Sequence, residues 1–328
     1  MNGARETKKR LLPRRLAIAA AVLVVAGLAA FWILTEPATV PASALPTYTS
    51  NLANGKTMFN AGGCASCHAV PNKDPDKVDT TRLGGGLALP CPFGTFYVPN
   101  ISPDPKDGIG DWSEADFVSA MWDGTAPGGY HLFPAFPYAS FRHMELSDVR
   151  DLFAYLRTLP PVPGKVRGPD LAFPFSIRRM VGVWKLLFLR GGPFVPDPSQ
   201  SVQWNRGAYL VNGPAHCAEC HSPRDFLGGI IESERFAGGP TPDGKDWVPN
   251  ITPVGLQQGD NAKSPWSRSD IASFMADGMT PDGDFVGGAM AEVIRNTSLL
   301  SKDDRAAIAA YIASLPPTQG PAPPPKKN

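Results

Sequence analysis

Cys64-Ala65-Ser66-Cys67-His68 and Cys217-Ala218-Glu219-Cys220-His221 write one pattern, Cys-x-x-Cys-His, twice in the same chain, about 150 residues apart. Two thiols three positions apart match the two vinyl groups of one haem, and the histidine that follows then reaches the iron, so each copy predicts a c-type haem attachment. Each also follows a segment predicted as a short helix, Asn54 to Asn60 and Asn205 to Val211. A disulfide between the paired cysteines, natural in an oxidising compartment, would leave both histidines without a purpose. A closed zinc site needs four Cys or His ligands, and each cluster offers three.

The similarity extends well beyond the cysteines. Val98-Pro99-Asn100-Ile101-Ser102-Pro103 returns as Val248-Pro249-Asn250-Ile251-Thr252-Pro253. Trp112, Asp116 and Asp123-Gly124 return as Trp266, Asp270 and Asp277-Gly278, and Tyr155, Leu159 and Pro160-Pro161 as Tyr311, Leu315 and Pro316-Pro317. A fixed order of landmarks at nearly constant spacing, about 150 residues, marks a duplicated unit. Within each unit Ser113 and Ser267 begin predicted helices, Ser113-Glu114-Ala115-Asp116 reading as a capping box. The closing helices are predicted over Ser147 to Leu159 and Ser301 to Leu315, with apolar residues at helical spacing and a double proline to stop each.

The remainder of the chain frames these units. With 328 residues there is room for two compact domains, and 43% apolar residues can fill their cores. Basic and acidic residues nearly cancel, 31 against 30, which gives no reason to expect a nucleic-acid partner. Arg5, Lys8, Lys9, Arg10, Arg14 and Arg15 precede an uncharged apolar run, Leu16 to Leu34, close to the ~20 residues that span a bilayer. The reading is an uncleaved anchor with its basic end in the cytoplasm, residues 1–15, a span at 16–34, and all that follows on the other side, the periplasm of a Gram-negative cell. The alternative is a signal peptide cut after Ala42-Ser43-Ala44. The first domain is then placed at 47–161, a linker at 162–200, the second domain at 201–318 and a proline-rich tail at 319–328. Within the linker Phe175 to Arg190 reads as a helix that covers core between the domains, lies on the membrane or docks a partner.

His68 and His221 are the expected proximal ligands, and methionine is a common sixth ligand in cytochromes c. Met58 lies too near its own cysteines, and Met121 and Met275 share a helix position suited to core. Met144 and Met290 are the leading candidates, with Met279 an alternative to Met290. The two are not equivalent: Met290 lies 11 residues before Ser301, and the residue 11 before Ser147 is Phe136. His131, His143 and the odd Cys91, whose repeat partner is Thr241, stay open as ligands of the first iron. Asn100, Trp112, Asn250, Trp266 and Arg224 are candidate contacts to haem propionates, because amide, indole and guanidinium hydrogens suit carboxylate oxygens.

The chain resembles the cytochrome c subunits of membrane-bound bacterial dehydrogenases, such as the alcohol and gluconate dehydrogenase complexes. The resemblance rests on Gly62-Gly63-Cys64-Ala65-Ser66-Cys67-His68, Pro134-Ala135-Phe136-Pro137-Tyr138, Asn205-Arg206-Gly207-Ala208-Tyr209-Leu210 and His216 through Arg224. It implies a mostly α fold with two tandem class I cytochrome c-like domains after a single transmembrane helix. It also implies two covalent haem c groups, with electrons passed from a periplasmic dehydrogenase to quinone, a soluble cytochrome or a terminal oxidase. Those subunits often read PAMPY where this chain has Phe136, and many carry a third haem domain. The rival class is a dihaem enzyme, resembling a thiosulfate dehydrogenase if Cys91 binds the first iron, or a peroxidase with an open haem.

Overall fold

The computed structural model describes residues 3–74, 77–241, 244–258 and 264–323, with side chains from residue 14 onward, residue 258 excepted. The side chains of Arg5, Lys8, Lys9 and Arg10, and the tail residues Pro324 and Pro325, lie outside this description. The chain opens on α1 (Gly3–Leu34). Its stretch Arg14–Leu34 is 21 residues long, apolar enough to cross a membrane, and buries nothing against the rest of the protein.

Two halves with similar elements follow, the second having one more helix. The first contains α2 (Leu52–Ala61), α3 (Cys64–His68), α4 (Glu114–Asp123), α5 (Tyr138–Phe141) and α6 (Leu146–Leu156). After α7 (Met180–Phe188), the second contains α8 (Val202–Asn212), α9 (Ala218–His221), α10 (Pro253–Gln258), α11 (Arg268–Asp277), α12 (Gly288–Thr297) and α13 (Lys302–Ile312). The strands are short: β1 (Ala88–Cys91), β2 (Gly94–Tyr97), β3 (Thr125–Ala126), β4 (Tyr130–His131), β5 (Asp170–Leu171), β6 (Gly239–Pro240) and β7 (Trp247–Val248). β1 and β2 form a hairpin to which β5 adds from the linker, and the pairs β3–β4 and β6–β7 are antiparallel.

The helix starts follow from side chains that satisfy free amide hydrogens. Asn51 accepts from the amides of Ala53 and Asn54, and Ser201 from that of Trp204. Full capping boxes, Ser113 with Asp116 and Ser267 with Asp270, begin α4 and α11. Gly124 and Gly278 end those helices in the left-handed region. The closing helices stop earlier than the prolines suggested, at Leu156 and Ile312, with a looser turn before each proline pair. The sequence reading also missed α12, which places Met290 on a helix and not in a loop.

In each half the entry helix crosses the closing helix at a glycine. A Cβ at Gly55 would lie 2.1 Å from the Asp151 carbonyl oxygen, and one at Gly207 would lie 1.9 Å from that of Ala307. Tyr155 and Tyr311 flank the two crossings, Tyr155 tilted against Phe59 and Tyr311 edge-on to Trp204. One contiguous core runs through both halves, joining Met58, Leu152 and Leu156 to Tyr209, Leu210, Ile308 and Ile312. The junction also carries a buried polar centre. The Tyr209 hydroxyl donates to Asp148 Oδ2, while Asn54 Nδ2 donates to Asp148 Oδ1 at 2.8 Å.

The linker helix α7 is shorter than the predicted Phe175 to Arg190 and covers both halves. Trp184 sets its ring edge-on to Tyr138 and donates to the Leu227 carbonyl, while Lys185 Nζ donates to the Gly124 carbonyl. The outward residues Phe173, Phe175, Ile177, Met180, Leu186 and Leu187 lie on the same segment that holds the end of α1. There Arg179 Nε donates to Thr35 Oγ1 at 2.8 Å and its guanidinium lies 4.4 Å from the Trp32 ring.

His131 belongs to this anchor junction. Its buried ring contacts the Thr35 carbonyl through Nε2 at 2.8 Å. Burial first, then the cations Lys185, Arg179 and Arg178, hold its pKa below the usual histidine value. Unfolded chain therefore takes up a proton at this site before folded chain does, and the stabilisation present above about pH 6.5 is lost as pH falls below it. Thermal melts in detergent should show lower stability at about pH 5 than at pH 7.5, with the slope reduced in His131→Gln. An unchanged slope would remove His131 from the account.

Candidate functional site

The two Cys-x-x-Cys-His segments are short helical turns, the first following α2 after Gly62 and Gly63, the second following α8 after a five-residue turn from Gly213 to Cys217. His68 Nδ1 lies 2.8 Å from the Pro99 carbonyl oxygen, and His221 Nδ1 lies 2.8 Å from that of Pro249. A carbonyl only accepts, so Nδ1 carries the hydrogen and the Nε2 lone pair is left for a metal, the usual arrangement around a ligating histidine. Burial keeps both rings neutral, pulling His68 down to about 4 and His221 in the same direction. The Gly85 amide holds the His68 carbonyl at 2.8 Å, and the Gly238 amide does the same for His221. Both glycines have positive φ, +69° and +78°, and their Cβ positions would collide with the turn that carries the accepting proline.

Asn100 and Asn250, candidates for propionate contacts, brace that turn through protein partners. Asn100 Nδ2 donates to the carbonyls of Val162 and Gly164 and its Oδ1 accepts from the Ser102 amide. Asn250 Nδ2 donates to the Thr318 carbonyl and its Oδ1 accepts from Thr252. Each asparagine thus ties the turn behind its histidine to the segment that leaves its half. Arg224 is likewise engaged elsewhere, with Glu219 at 2.6 Å and the Gly228 carbonyl at 2.7 Å. The Trp112 and Trp266 rings pack on the core, with no hydrogen bond from either indole nitrogen to the described protein.

All five cysteines are free thiols. Burial, with a smaller push from the other cysteine of the pair, raises Cys64 and Cys217 to about 12, so both stay in the thiol form. Cys67 and Cys220 are more open and are close enough that the second raises the pKa of the first after burial has done so. His216, just ahead of the second motif, contacts the Gly62 carbonyl just ahead of the first through Nε2 at 3.3 Å, so the two motifs begin side by side at the junction of the halves.

Two reciprocal hydrogen bonds set that approach. Asn296 Nδ2, on α12 of the second half, donates to Ser66 Oγ inside the first motif at 2.7 Å. Ser140 Oγ, on α5 of the first half, donates to Glu219 Oε1 inside the second motif at 2.6 Å. Arg224 and Ser140 together hold the buried Glu219 below the usual carboxylate range despite its burial. Of these five residues only Arg224 stood out in the sequence as a candidate, because a pair spaced so far apart leaves no local period.

Backbone pairing settles how the segments before the closing helices correspond. The Leu132 amide donates to the Gly124 carbonyl and the Val286 amide to that of Gly278. Thr125 pairs with His131, and Met279 with Phe285, as matching antiparallel bridges. Leu132 and Val286 therefore match, and Phe136 and Met290 each stand four residues further on. Nearer the closing helix the Met144 amide donates to the Phe141 carbonyl, and the Leu300 amide to that of Thr297. Met144 matches Leu300, and both are core residues, 1% and 4% exposed. Met290 is half-buried, and Met279 is more open, at the start of its bridge.

The remaining candidates for the first iron are dispersed. His143 Nδ1 contacts the Gly192 carbonyl at 2.8 Å, and His131 faces the anchor. Cys91 closes the β1–β2 hairpin opposite Gly94, three residue steps, about 10 Å, beyond the Ala88–Tyr97 pair.

Comparison with known proteins agrees with this geometry. The cytochrome c family model matches residues 52–160. A "Diheme cytochrome c-type" protein of Cereibacter sphaeroides is 46% identical over 304 residues, covering 92% of this chain and 98% of its own. A fructose dehydrogenase cytochrome subunit of Gluconobacter japonicus is 36% identical over 86% of this chain, and the cytochrome c subunit of a quinone alcohol dehydrogenase of Gluconobacter oxydans is 34% identical over 80%. The chain spans just over half the length of each of those two subunits, 55% and 54%.

Proposed function

Because the chain belongs to the cytochrome c family, we propose that it is a membrane-anchored dihaem cytochrome c that relays electrons from a periplasmic dehydrogenase to the respiratory chain. The observation that carries this reading is the pair of adjoining motifs, each with a histidine whose Nδ1 is tied to a proline carbonyl. Haem c supplies a one-electron iron couple whose potential is set by its axial ligands and its burial.

The chain's own residues do the rest. Cys64 with Cys67, and Cys217 with Cys220, would hold the two groups covalently. His68 and His221 would bind the irons, Met144 and Met290 would be the further ligands of the first and second sites, and Trp112 and Trp266 would offer their indole hydrogens to propionates. The Asn296–Ser66 and Ser140–Glu219 hydrogen bonds keep Cys67 and Cys220 adjacent, which shortens the path between the two sites. The α1 span would hold the protein in the inner membrane with both halves on the periplasmic side, the end of α1 being fixed by Arg179 and His131. The dehydrogenase donor is the partner that the relatives' names suggest, and quinone, a soluble cytochrome or a terminal oxidase would take the electrons.

Mass spectrometry of the purified chain should find two haems, with one in Cys64→Ser/Cys67→Ser and one in Cys217→Ser/Cys220→Ser. Either double variant should lose dehydrogenase-to-oxidase transfer in membranes. Full transfer with one haem would refute the relay, and steady turnover of thiosulfate or peroxide by the purified chain would replace it with a catalytic reading.

A further inference from the structure

We propose that the linker from Phe173 to Leu187, which includes α7, is a second membrane attachment: its outward apolar face sinks into the lipid surface from which α1 emerges. This rests on the anchored reading above. The occupant is the phospholipid surface itself, because the face begins where the span ends. Arg179, the residue before α7, donates to Thr35 Oγ1 at 2.8 Å and to the Trp32 carbonyl, and its guanidinium lies 4.4 Å from the Trp32 ring. Tryptophan gathers at the boundary of hydrocarbon and water, and arginine near a span's end extends its charge toward the headgroups. This contact therefore marks the headgroup level, and α7 starts there.

The end of α1 is packed and not hinged. Thr35 is buried, and a Cβ at Gly182 would lie 2.5 Å from Thr35 Cβ and 2.9 Å from His131 Nε2. On a helix of 3.6 residues per turn, Met180, Val183, Leu186 and Leu187 fall within one arc of about 120°, beside the side that carries Gly182. Met180, Leu186 and Leu187 are exposed, and Val183 is half-buried. The other side of α7 holds the protein: Val181 is buried, Trp184 meets Tyr138, and Lys185 donates to the Gly124 carbonyl. Ahead of the helix Phe173 is 80% exposed, and Phe175 and Ile177 are exposed as well. Large apolar side chains gathered in this way on one surface mark a binding face.

Charge points the same way. Between Asp170 and Asp197 the chain has no carboxylate, but it has Arg178, Arg179, Lys185 and Arg190. Arg178 donates to the His131 carbonyl and Lys185 to that of Gly124, so these cations are drawn toward the protein and the apolar face is left clear. Arg190, just past α7, is exposed. An apolar face bordered by basic residues and free of acidic ones suits a surface of anionic phospholipid. Attachment at α1 alone would let the two halves turn about the axis of the span. A second attachment through α7 holds them in one orientation over the membrane.

Quenching of a bimane label by nitroxide lipid tests this in the full chain, reconstituted in vesicles of phosphatidylethanolamine and phosphatidylglycerol. Cys91→Ser removes the thiol outside the haem motifs, and a single label is then placed through Leu187→Cys, Phe173→Cys or, within the span, Leu23→Cys. Intensity with the nitroxide near the top of the acyl chain, divided by intensity without it, cancels quenching by haem. Both linker labels should be quenched at least about twofold more than bimane–glutathione added to the same vesicles, as an interfacial depth requires. Met180→Asp with Leu187→Asp should restore the Phe173 signal and leave Leu23 quenched. If Leu187→Cys fails to fold, Leu186→Cys replaces it with the same expectation. Linker labels that match bimane–glutathione while Leu23 is quenched overturn the proposal and give the face to a protein partner. Phe173 quenching that survives the two aspartates overturns the role of α7. An unquenched Leu23 label strikes the anchored reading instead.

Discussion

Gly207→Ala is expected to destabilise the protein by about 3 kcal/mol or more, beyond the usual range for overpacked positions, because the new methyl would meet main chain and not a movable side chain. The contact in question is 1.9 Å to the Ala307 carbonyl oxygen, with the carbonyl carbon at 2.6 Å and Tyr311 Cβ at 2.9 Å. Relief requires α8 and α13 to separate, which also displaces the His221 segment that follows α8. Gly55→Ala should act in the same way on α2 and α6, with 2.1 Å to the Asp151 oxygen. Gly168→Ala, which meets nothing within 4 Å, is the control and should be silent. The melting temperature followed at the haem Soret band should fall on the order of 10 °C in either helix-crossing variant. A shift no larger than that of Gly168→Ala would mean that the helices do not cross at these glycines.

The second large effect is expected at the buried centre between the halves. Tyr209→Phe removes a donor from the Asp148 carboxylate, leaving Asn54 as its remaining partner at that end of the junction. Loss of one partner from a buried charged group costs about 1–3 kcal/mol. Asp148→Asn keeps the shape and lowers the charge, so a double-mutant cycle with Tyr209→Phe isolates the pair, and coupling of about 1–2 kcal/mol in urea unfolding is the expected result. Additive effects would show that the Tyr209–Asp148 pair adds nothing to the docking of the halves. Because Tyr209 lies on the helix that leads into Cys217, the same variant should slow transfer between the two haem sites while leaving haem content at two.

Much of this was legible in the sequence for local reasons. The haem motifs, the capping serines at 113 and 267 and the span of α1 each follow from spacings of a few residues or from a run of one kind of residue. The order of landmarks in the two halves was visible for the same reason. What escaped was set by partners far along the chain. Asn100 offers the same donors whether they meet a propionate or the Val162 carbonyl, and only the fold decides between them. Arg224 reads as a free cation until Glu219 is found beside it. Helix α12 begins at Gly288 with Gly287 at its cap, and its start has no side-chain cap to mark it. The correspondence of Met144 with Leu300 was hidden by a two-residue difference between the halves, which only the hydrogen-bonded bridges reveal.

The reciprocal pair of contacts between Ser66 and Asn296 and between Ser140 and Glu219 has the form of an isologous interface folded into one polypeptide. Position matches position, for Ser66 and Glu219 are equivalent in the two motifs, and Ser140 and Asn296 are equivalent before the closing helices. A two-fold axis relating identical subunits produces this arrangement automatically, since whatever one copy offers the other must receive. A half-length ancestor carrying one motif would have met its own copy through this face, with its haem sites already paired. Joining two such copies in one chain freed each side to change alone, so that a serine and an asparagine now meet on one side of the axis and a serine and a glutamate on the other.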